Sequence, residues 1–183
     1  MTSQKNYWLV ISTDHRAHGG NDGYNDDLKV QYEWDSTVKH HSRVCPGDTV
    51  VFWNKNQLLG ASEVTKISTK SSNKDRYRCP TCMSTRIKKR SIKTPTYRCQ
   101  EQDCKFEFNN AIAEVIEVTN YMSKHSEKWI DLFGLLEGAE LRKLCDRPRA
   151  QDSLRYFNFS KFLEVIRPRV SISTWQAISQ LAS

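Results

Sequence analysis

Two pairs of closely spaced cysteines constrain this chain more than any other feature of its sequence. Cys79 and Cys82 are separated by two residues, Cys99 and Cys104 by four, and sixteen residues lie between the pairs. Two such knuckles can converge as a tetrahedron of thiolates around one zinc ion. The same Tyr-Arg-Cys sequence leads into both knuckles, as in the paired hairpins of a zinc ribbon. The pattern therefore predicts a structural zinc ribbon with these four cysteines as its ligands.

Two disulfides are the alternative interpretation of the same cysteines. The N-terminus lacks a basic stretch followed by an apolar segment of signal-peptide length, so we expect a cytoplasmic protein in a reducing compartment, where disulfides are disfavoured. The longest apolar runs, such as residues 50–53, fall far short of the roughly 18–20 residues that a bilayer span needs. We therefore expect a soluble protein with no membrane partner. Cys45 and Cys145 lack a second ligand at knuckle spacing and are interpreted as ordinary buried thiols.

The basic charge of the chain is concentrated in one segment. The net charge is +7 and the pI is about 9.1, which favours a polyanionic partner such as nucleic acid. Between residues 66 and 98 there are eleven basic residues and one acid. This concentration favours contact with phosphates, and we predict that Lys88, Lys89 and Arg90 contact the nucleic-acid backbone. A solvated, flexible basic loop is the alternative.

The predicted ribbon interrupts a pattern of strands. Aromatic and β-branched runs predict four strands, at residues 7–12, 49–54, 58–67 and 111–118. Gly60 suggests a bulge or a close backbone approach, and residues 13–27, rich in Gly, Asn and Asp, predict an exposed loop. Because strands both precede and follow it, the ribbon at residues 74–108 is predicted to be inserted into a sheet domain made of residues 1–73 and 109–166.

After residue 120 the apolar spacing becomes that of helices. An amphipathic helix is predicted where apolar residues recur three and four positions apart, at Trp129, Leu132, Phe133 and Leu136. Shorter helices are predicted around Leu141 and around Phe162. Residues 167–183 are predicted to form a linker and a last helix, capped by Ser171 or Ser173.

Four short motifs of the sheet domain carry a resemblance to a known family. They are Tyr7-Trp8, Tyr32-Glu33-Trp34-Asp35-Ser36, Gly47-Asp48 and Gln151-Asp152-Ser153-Leu154-Arg155. With these motifs, over most of residues 5–166, the chain resembles the EVE-type domains of the PUA-like superfamily, small β-barrels related to the YTH readers of modified bases. The version interrupted by a zinc ribbon resembles the recognition domains of modification-dependent restriction endonucleases, where such a reader is joined to an HNH nuclease. The resemblance implies an α+β fold, a PUA-like/EVE β-barrel with peripheral helices and an inserted four-Cys zinc ribbon.

The function that this resemblance implies is the reading of a modified base. Such a reader binds double-stranded DNA and flips a modified cytosine, 5-methyl- or 5-hydroxymethylcytosine, into an aromatic pocket. Flipping costs a few kcal/mol of stacking and pairing, which stacking on aromatic side chains, at about 1–3 kcal/mol per base, can offset. Trp34 and Trp53 are the candidate faces of the pocket, with Tyr32 as a third wall. The alternative is that these aromatic residues are core residues of the barrel.

Polar residues of the same motifs are candidates for hydrogen bonds to the nucleic acid. The Asp35 carboxylate can accept a hydrogen bond from the exocyclic amine of cytosine, and Ser36 can bind the base edge or a phosphate. A turn or helix-capping role is the alternative for both residues. Arg155 is predicted to contact the backbone, with an ion pair to an acid such as Asp152 as the alternative.

No catalytic constellation is apparent, so we expect the chain not to be an enzyme. Four thiolates close the coordination shell that a catalytic zinc keeps open. His40 and His41 have no accompanying Cys or carboxylate constellation, and we interpret them as solvated, or else as contacting phosphate. Cleavage would then belong to a fused or associated HNH nuclease domain. An RNA-binding YTH/PUA-like reader and a zinc-ribbon protein-interaction domain are the alternative functions.

Overall fold

The computed structural model describes residues 5–13, 27–125 and 127–183, and strands predominate in these ranges. The strands are β1 (Tyr7–Ile11), β2 (Gln31–Asp35), β3 (Thr49–Trp53), β4 (Leu58–Arg78), β5 (Ile87–Lys89), β6 (Tyr97–Cys99), β7 (Glu107–Phe108), β8 (Ile112–His125), β9 (Ile130–Asp131) and β10 (Leu154–Tyr156). The helices are α1 (Gly138–Lys143), α2 (Phe159–Ile166) and α3 (Ile172–Gln180), with a 3₁₀ turn at Arg167–Arg169. Among the described residues, no helix has the length and apolar character to cross a membrane.

The chain divides into two compact units, which are described separately below. The first unit comprises the described residues within 1–13, 25–70 and 120–183, and the described residues of the second unit are 71–119. The segment predicted to form the zinc ribbon, residues 74–108, lies inside the second unit. The predicted loop at residues 13–27 lies almost entirely outside the described residues.

A seven-stranded mixed sheet organises the first unit. Its strand order is β10-β1-β3-β4-β8-β2, and β9 pairs with β4. Strands β1 and β3 are parallel, whereas β10 on β1, β4 on β3 and β2 on β8 are antiparallel. All five residues of the central strand β3 are buried, because apolar clusters cover both faces of the sheet.

Side chains of β3 alternate between these two clusters, as the two-residue period of a strand requires. Val51 and Trp53 belong to a cluster that includes apolar residues of all three helices, here called the helix-side cluster. Val50 and Phe52 belong to a cluster built mainly from strands, here called the Trp8 cluster after its first member. The sheet therefore separates two apolar cores.

The sheet curls around the Trp8 cluster. Tyr32 of β2 and Leu154 of β10 belong to the two terminal strands of the sheet, yet both lie in this cluster. The Tyr32 hydroxyl donates a hydrogen bond to the carbonyl of Ile11 in β1 at 2.8 Å. No strand pairing joins β2 to β10 in the described part of the chain. The predicted α+β class is thus confirmed as a strand-rich fold with few helices, but the sheet is not a closed barrel.

Three of the four predicted helices are present. Helices α1 and α2 contain Leu141 and Phe162, and Ser171 caps α3 by accepting the N–H of Thr174 at 3.2 Å. The helix predicted from Trp129 to Leu136 is wrong. Residues 130 and 131 form β9 instead and pair with Gly60 and Ala61 of β4.

The second unit contains a small antiparallel sheet of order β5-β6-β7. Its core is a cluster of Cys79, Ile87, Cys99 and Phe108. Two of the four predicted metal ligands are therefore core residues of this unit, and the small sheet is built directly on the cysteine knuckles.

Candidate functional site

The four cysteines predicted as metal ligands are brought together in the second unit. Their Sγ atoms all lie within 4.8 Å of one another, with 3.8 Å between Cys79 and Cys104 and 3.5 Å between Cys82 and Cys99. A tetrahedral zinc ion with Zn–S bonds of about 2.3 Å requires sulfurs about 3.8 Å apart. The four thiols are therefore close enough to hold one metal ion, and the donor set fits the preference of zinc.

Both knuckles have the same backbone geometry. The residue after the second cysteine adopts a positive φ in each, 60° at Met83 and 47° at Lys105. The N–H of Met83 donates to the carbonyl of Cys79 at 2.9 Å, and the N–H of Lys105 donates to that of Glu101 at 3.1 Å. Each knuckle thus closes a tight turn that aims two sulfurs at one point.

Backbone N–H groups of the knuckles interact with the sulfur atoms. Burial raises the pKa of the Cys79 thiol, but hydrogen bonds from the backbone of Cys82 and Thr81 outweigh it and lower that pKa to about 7. At Cys99 burial dominates and raises the pKa to about 12, although the N–H of Glu101 contacts its sulfur at 3.5 Å. A bound cation would favour the thiolate form of all four residues.

Most arginines of the predicted basic segment are held in ion pairs inside the second unit. Arg76 and Arg78 contact Glu114 at 2.9 and 2.7 Å, and Arg86 contacts Glu101 at 3.1 Å. The carboxylates of Glu101, Glu107 and Glu114 therefore hold most of the arginines, and the lysines carry the excess charge of this segment.

Arg90, a predicted contact of the nucleic-acid backbone, has a structural role instead. Its guanidinium donates to both carboxylate oxygens of Glu107, at 2.8 and 3.0 Å, and to the carbonyl of Pro95. The hydrogen bonds from Arg90 lower the pKa of Glu107. With a side chain that is only 15% exposed, Arg90 has little capacity left for a phosphate.

Lys88 and Lys89, in contrast, are exposed and form no ion pair among the described residues. Lys88 lies directly opposite Arg98 on the neighbouring strand. In the described part of the chain, Arg98 forms a single ion pair, with Glu107 at 3.8 Å. The same carboxylate is bound more closely by Arg90, at 2.8 Å. Like charges directly opposite one another destabilise a strand pair, so this arrangement favours an external anion.

The residues predicted to form one base pocket are distributed between the two cores of the first unit. Trp53 lies in the helix-side cluster and is 0% exposed, whereas Tyr32 and Trp34 lie in the Trp8 cluster and are each 2% exposed. Because the sheet separates these clusters, the structure does not bring Trp34 and Trp53 together as two walls of one cavity. Their placement matches the alternative of core aromatic residues.

The geometry of Asp35 likewise matches its alternative interpretation, that of a turn residue. It is 1% exposed, and its Oδ1 accepts hydrogen bonds from the backbone N–H of Thr37, at 2.8 Å, and from the Thr37 hydroxyl. It is therefore a turn residue at the end of β2. Ser36 follows it and is half-buried.

A stacked pair of rings that the sequence does not reveal joins β2 to β8 at Trp34. The ring of Tyr121 stacks on Trp34, with ring centres 5.6 Å apart and planes 8° from parallel. The Tyr121 hydroxyl lies 3.1 Å from Nδ1 of His41, whose carbonyl accepts the Trp34 indole N–H. Tyr121 is half-buried whereas Trp34 is buried, so Tyr121 is the more accessible ring of the stacked pair. The contact depends on the register of β2 on β8, which no local sequence signal reports.

Arg155, the other predicted backbone contact, is only 5% exposed. Its Nε donates to the carbonyl of Asp152 at 2.8 Å, and its guanidinium carbon lies 5.2 Å from the centre of the Trp53 ring. The Asp152 carboxylate instead pairs with Lys39 at 3.2 Å. Arg155 therefore packs against Trp53, and the alternative ion pair with Asp152 is not formed.

A second basic segment, not among the sequence-predicted features, lies in the first unit. Residues 142–155 contain five basic and two acidic residues. Four of its residues, Arg147, Pro148, Arg149 and Ala150, line an open surface depression of about 440 Å³. The segment's excess of positive charge becomes visible in the sequence when charge is summed over windows of about fifteen residues.

His40 lies next to this second basic segment and is half-buried, contrary to the expectation that it is solvated. Its ring packs edge-on against Tyr156 with centres 5.2 Å apart, and its φ of 64° is unusual for a residue other than glycine. Burial lowers the pKa of His40, and the positive charges of Lys39 and Arg147 lower it further. His40 therefore contributes an aromatic surface rather than a charge at neutral pH.

No protein-family model matches the chain, and comparisons with the curated proteins and with the solved structures also found no match.

Proposed function

We propose that this chain is a nucleic-acid-binding module. In its specific form, the proposal is an EVE-type, PUA-like reader of double-stranded DNA that binds a modified cytosine, with cleavage supplied by a fused or associated HNH nuclease. The motifs at Tyr32–Ser36 and at residues 151–155 support this form, as does the curled mixed sheet with a four-cysteine unit inserted between β4 and β8.

The observation that best supports nucleic-acid binding is the position of Lys88 directly opposite Arg98 on adjacent strands. Two exposed cations lie opposite one another on the small sheet, and the carboxylate nearest to Arg98, that of Glu107 on the next strand, is shared with Arg90. A phosphate oxygen placed between them would remove the like-charge repulsion and make charge-assisted hydrogen bonds with both.

Zinc is the metal that best fits the four cysteines. Four thiolates in tetrahedral positions form a closed structural site. When bound, zinc would supply folding free energy to the knuckles. The strands β5 and β6 would then form a rigid pair, in which Lys88 stays directly opposite Arg98.

Base reading requires an aromatic face that a base can reach. Tyr32, Trp34 and Trp53 are too buried for this role in the present conformation, so we place the flipped base at Tyr121, the half-buried ring that stacks on Trp34. Tyr121 would supply the stacking surface. The Ser36 hydroxyl would contact the base edge.

Substitution of the two opposed cations tests the backbone contact. The double variant Lys88→Gln, Arg98→Gln is expected to bind duplex DNA more weakly and to reduce the slope of log K against log salt by about 0.9 for each phosphate that the variant no longer neutralises. Titrations between about 50 and 200 mM salt measure the slope. Arg86→Gln is the matched control, because it removes one exposed cation that is already paired with Glu101. A slope in the double variant equal to that of the unmodified chain would exclude this sheet from the interface.

A panel of matched duplexes tests base reading. Duplexes that differ only in one cytosine, unmodified, 5-methylated or 5-hydroxymethylated, are expected to bind with different affinities. Loss of one stacking face costs about 1–3 kcal/mol, so Tyr121→Ala should remove most of the preference and leave binding to the unmodified duplex unchanged. Tyr121→Phe, which keeps the ring and removes only the hydroxyl, is the matched control. Equal affinities across the panel would reject base reading, and a preference for the matching RNA duplex would favour the RNA-reader alternative.

A further inference from the structure

Two buried hydrogen-bond donors in the first unit have no acceptor among the described residues. They are the indole Nε1 of Trp53 and the guanidinium Nη1 of Arg155. Trp53 is fully buried and Arg155 is more than nine-tenths buried. Nearly all buried polar groups in proteins are hydrogen-bonded, because leaving one unpaired costs about 1–3 kcal/mol. Two such donors on contacting side chains indicate a missing acceptor.

A second cation lies on the same indole. The guanidinium carbons of Arg142 and Arg155 lie 5.0 and 5.2 Å from the centre of the Trp53 ring. Neither arginine forms an ion pair within the described ranges. The closest acid in sequence to Arg155, Asp152, has its carboxylate paired with Lys39.

Around this pair, burial and the second cation outweigh the groups that offset the positive charge of Arg155, which are the Cys145 thiol and the Asp152 carboxylate. Burial is the main reason that the pKa of Arg155 is lowered, and the positive charge of Arg142 lowers it further. The nearby Cys145 thiol is neutral at physiological pH, because burial raises its pKa to about 11. A water molecule could accept from both donors, but it would leave the two positive charges uncompensated.

We propose that Trp53, Arg155 and Arg142 form a binding site for a phosphate oxyanion. The anion would accept hydrogen bonds from Trp53 Nε1, from Arg155 Nη1 and from the guanidinium of Arg142, which is the half-buried member of the three. The inference rests on the proposed function only for the source of the phosphate, which is either a nucleic-acid backbone or the free ion.

Indole N–H resonances give a direct readout of this site. The chain has five tryptophans, and two of them are internal controls. The indole of Trp8 already donates to Asp48 at 2.8 Å, and that of Trp34 to the carbonyl of His41 at 2.9 Å. In ¹H–¹⁵N spectra of the full chain, inorganic phosphate added at constant ionic strength is expected to shift the Trp53 resonance saturably and to leave those two in place.

Variants of two neighbouring cations separate a specific site from general attraction. Arg142→Gln is expected to weaken phosphate binding about tenfold, the effect of losing one charge-assisted hydrogen bond. Lys143→Gln removes an exposed neighbouring charge and is expected to leave phosphate binding unchanged. Arg142 is not fully buried, so its replacement preserves the fold better than a replacement of Arg155. Trp53→Phe identifies the resonance by removing it.

A second titration with an unmodified duplex distinguishes the source of the phosphate. A shift of Trp53 with both probes supports the site and assigns it to the nucleic-acid backbone, while a shift with inorganic phosphate alone supports the site and assigns it to the free ion. A Trp53 resonance that moves with neither probe overturns the inference, and so does an Arg142→Gln variant with unchanged binding. Salt-dependent DNA binding that persists in that case would leave the proposed function in place.

Discussion

Replacement of Cys99 by serine is expected to abolish metal binding and to unfold the second unit. Cys99 belongs at once to the four-cysteine cluster and to the small core with Ile87 and Phe108. Structural zinc sites contribute on the order of 10–16 kcal/mol of apparent binding free energy at neutral pH, which a core of this size cannot replace. Metal analysis should give about one zinc per chain before the substitution and none after it, and hydrogen exchange should show reduced protection in β5–β7.

Controls for this experiment come from the same chain. Cys45→Ser removes a half-buried thiol that lies outside the cluster, and it should leave both the zinc content and the exchange pattern unchanged. The first unit has its own two apolar cores, so β1 and β3 should stay protected in Cys99→Ser. If the purified chain contains no metal, or if β5–β7 stay protected in Cys99→Ser, zinc does not stabilise the second unit.

The cysteine cluster could be predicted from the sequence because its information is local. Each knuckle is a turn of four to six residues that aims two sulfurs in one direction, and the spacing alone carries the geometry. Local information also predicted α1, α2 and α3. It failed at Trp129–Leu136, where apolar residues three and four apart were consistent with a helix but Ile130 pairs with Ala61 across the sheet. Gly134, with a φ of 72°, then turns the chain away from helical geometry.

The roles of the basic and aromatic residues could not be predicted, because they depend on distant partners. Arg90 is neutralised by Glu107, seventeen residues away, so a count of charges could not separate it from Lys88 and Lys89. Trp34 lies within the Tyr32–Ser36 motif, and Trp53 follows the Gly-Asp turn by a few residues. This proximity in sequence favoured a single pocket for both rings. Which core each enters is decided by strand order and by the curl of the sheet, which follow from the whole fold.

The Gly-Asp turn shows how a motif that suggests function can carry structure. The Asp48 carboxylate is buried and accepts hydrogen bonds at 2.8 to 2.9 Å from the Trp8 indole and from the backbone N–H groups of Asn6 and Cys45, and a longer one at 3.5 Å from the Asn6 side-chain amide. The acid therefore ties the start of β1 to the turn before β3. Its position in the motif is explained by this network alone.

Asp48→Ala is accordingly expected to lower the free energy of unfolding of the first unit by about 3–5 kcal/mol, because it leaves buried donors without an acceptor. Asp48→Asn keeps one acceptor oxygen and should lose about half as much. Asp152→Ala is the matched control, since its ion pair with Lys39 is partly exposed and such pairs contribute about 0–1 kcal/mol. Urea unfolding followed by tryptophan fluorescence measures all three variants. Equal midpoints for Asp48→Ala and Asp152→Ala would mean that the Asp48 network does not stabilise the curled sheet, and the Gly-Asp motif would again need a functional explanation.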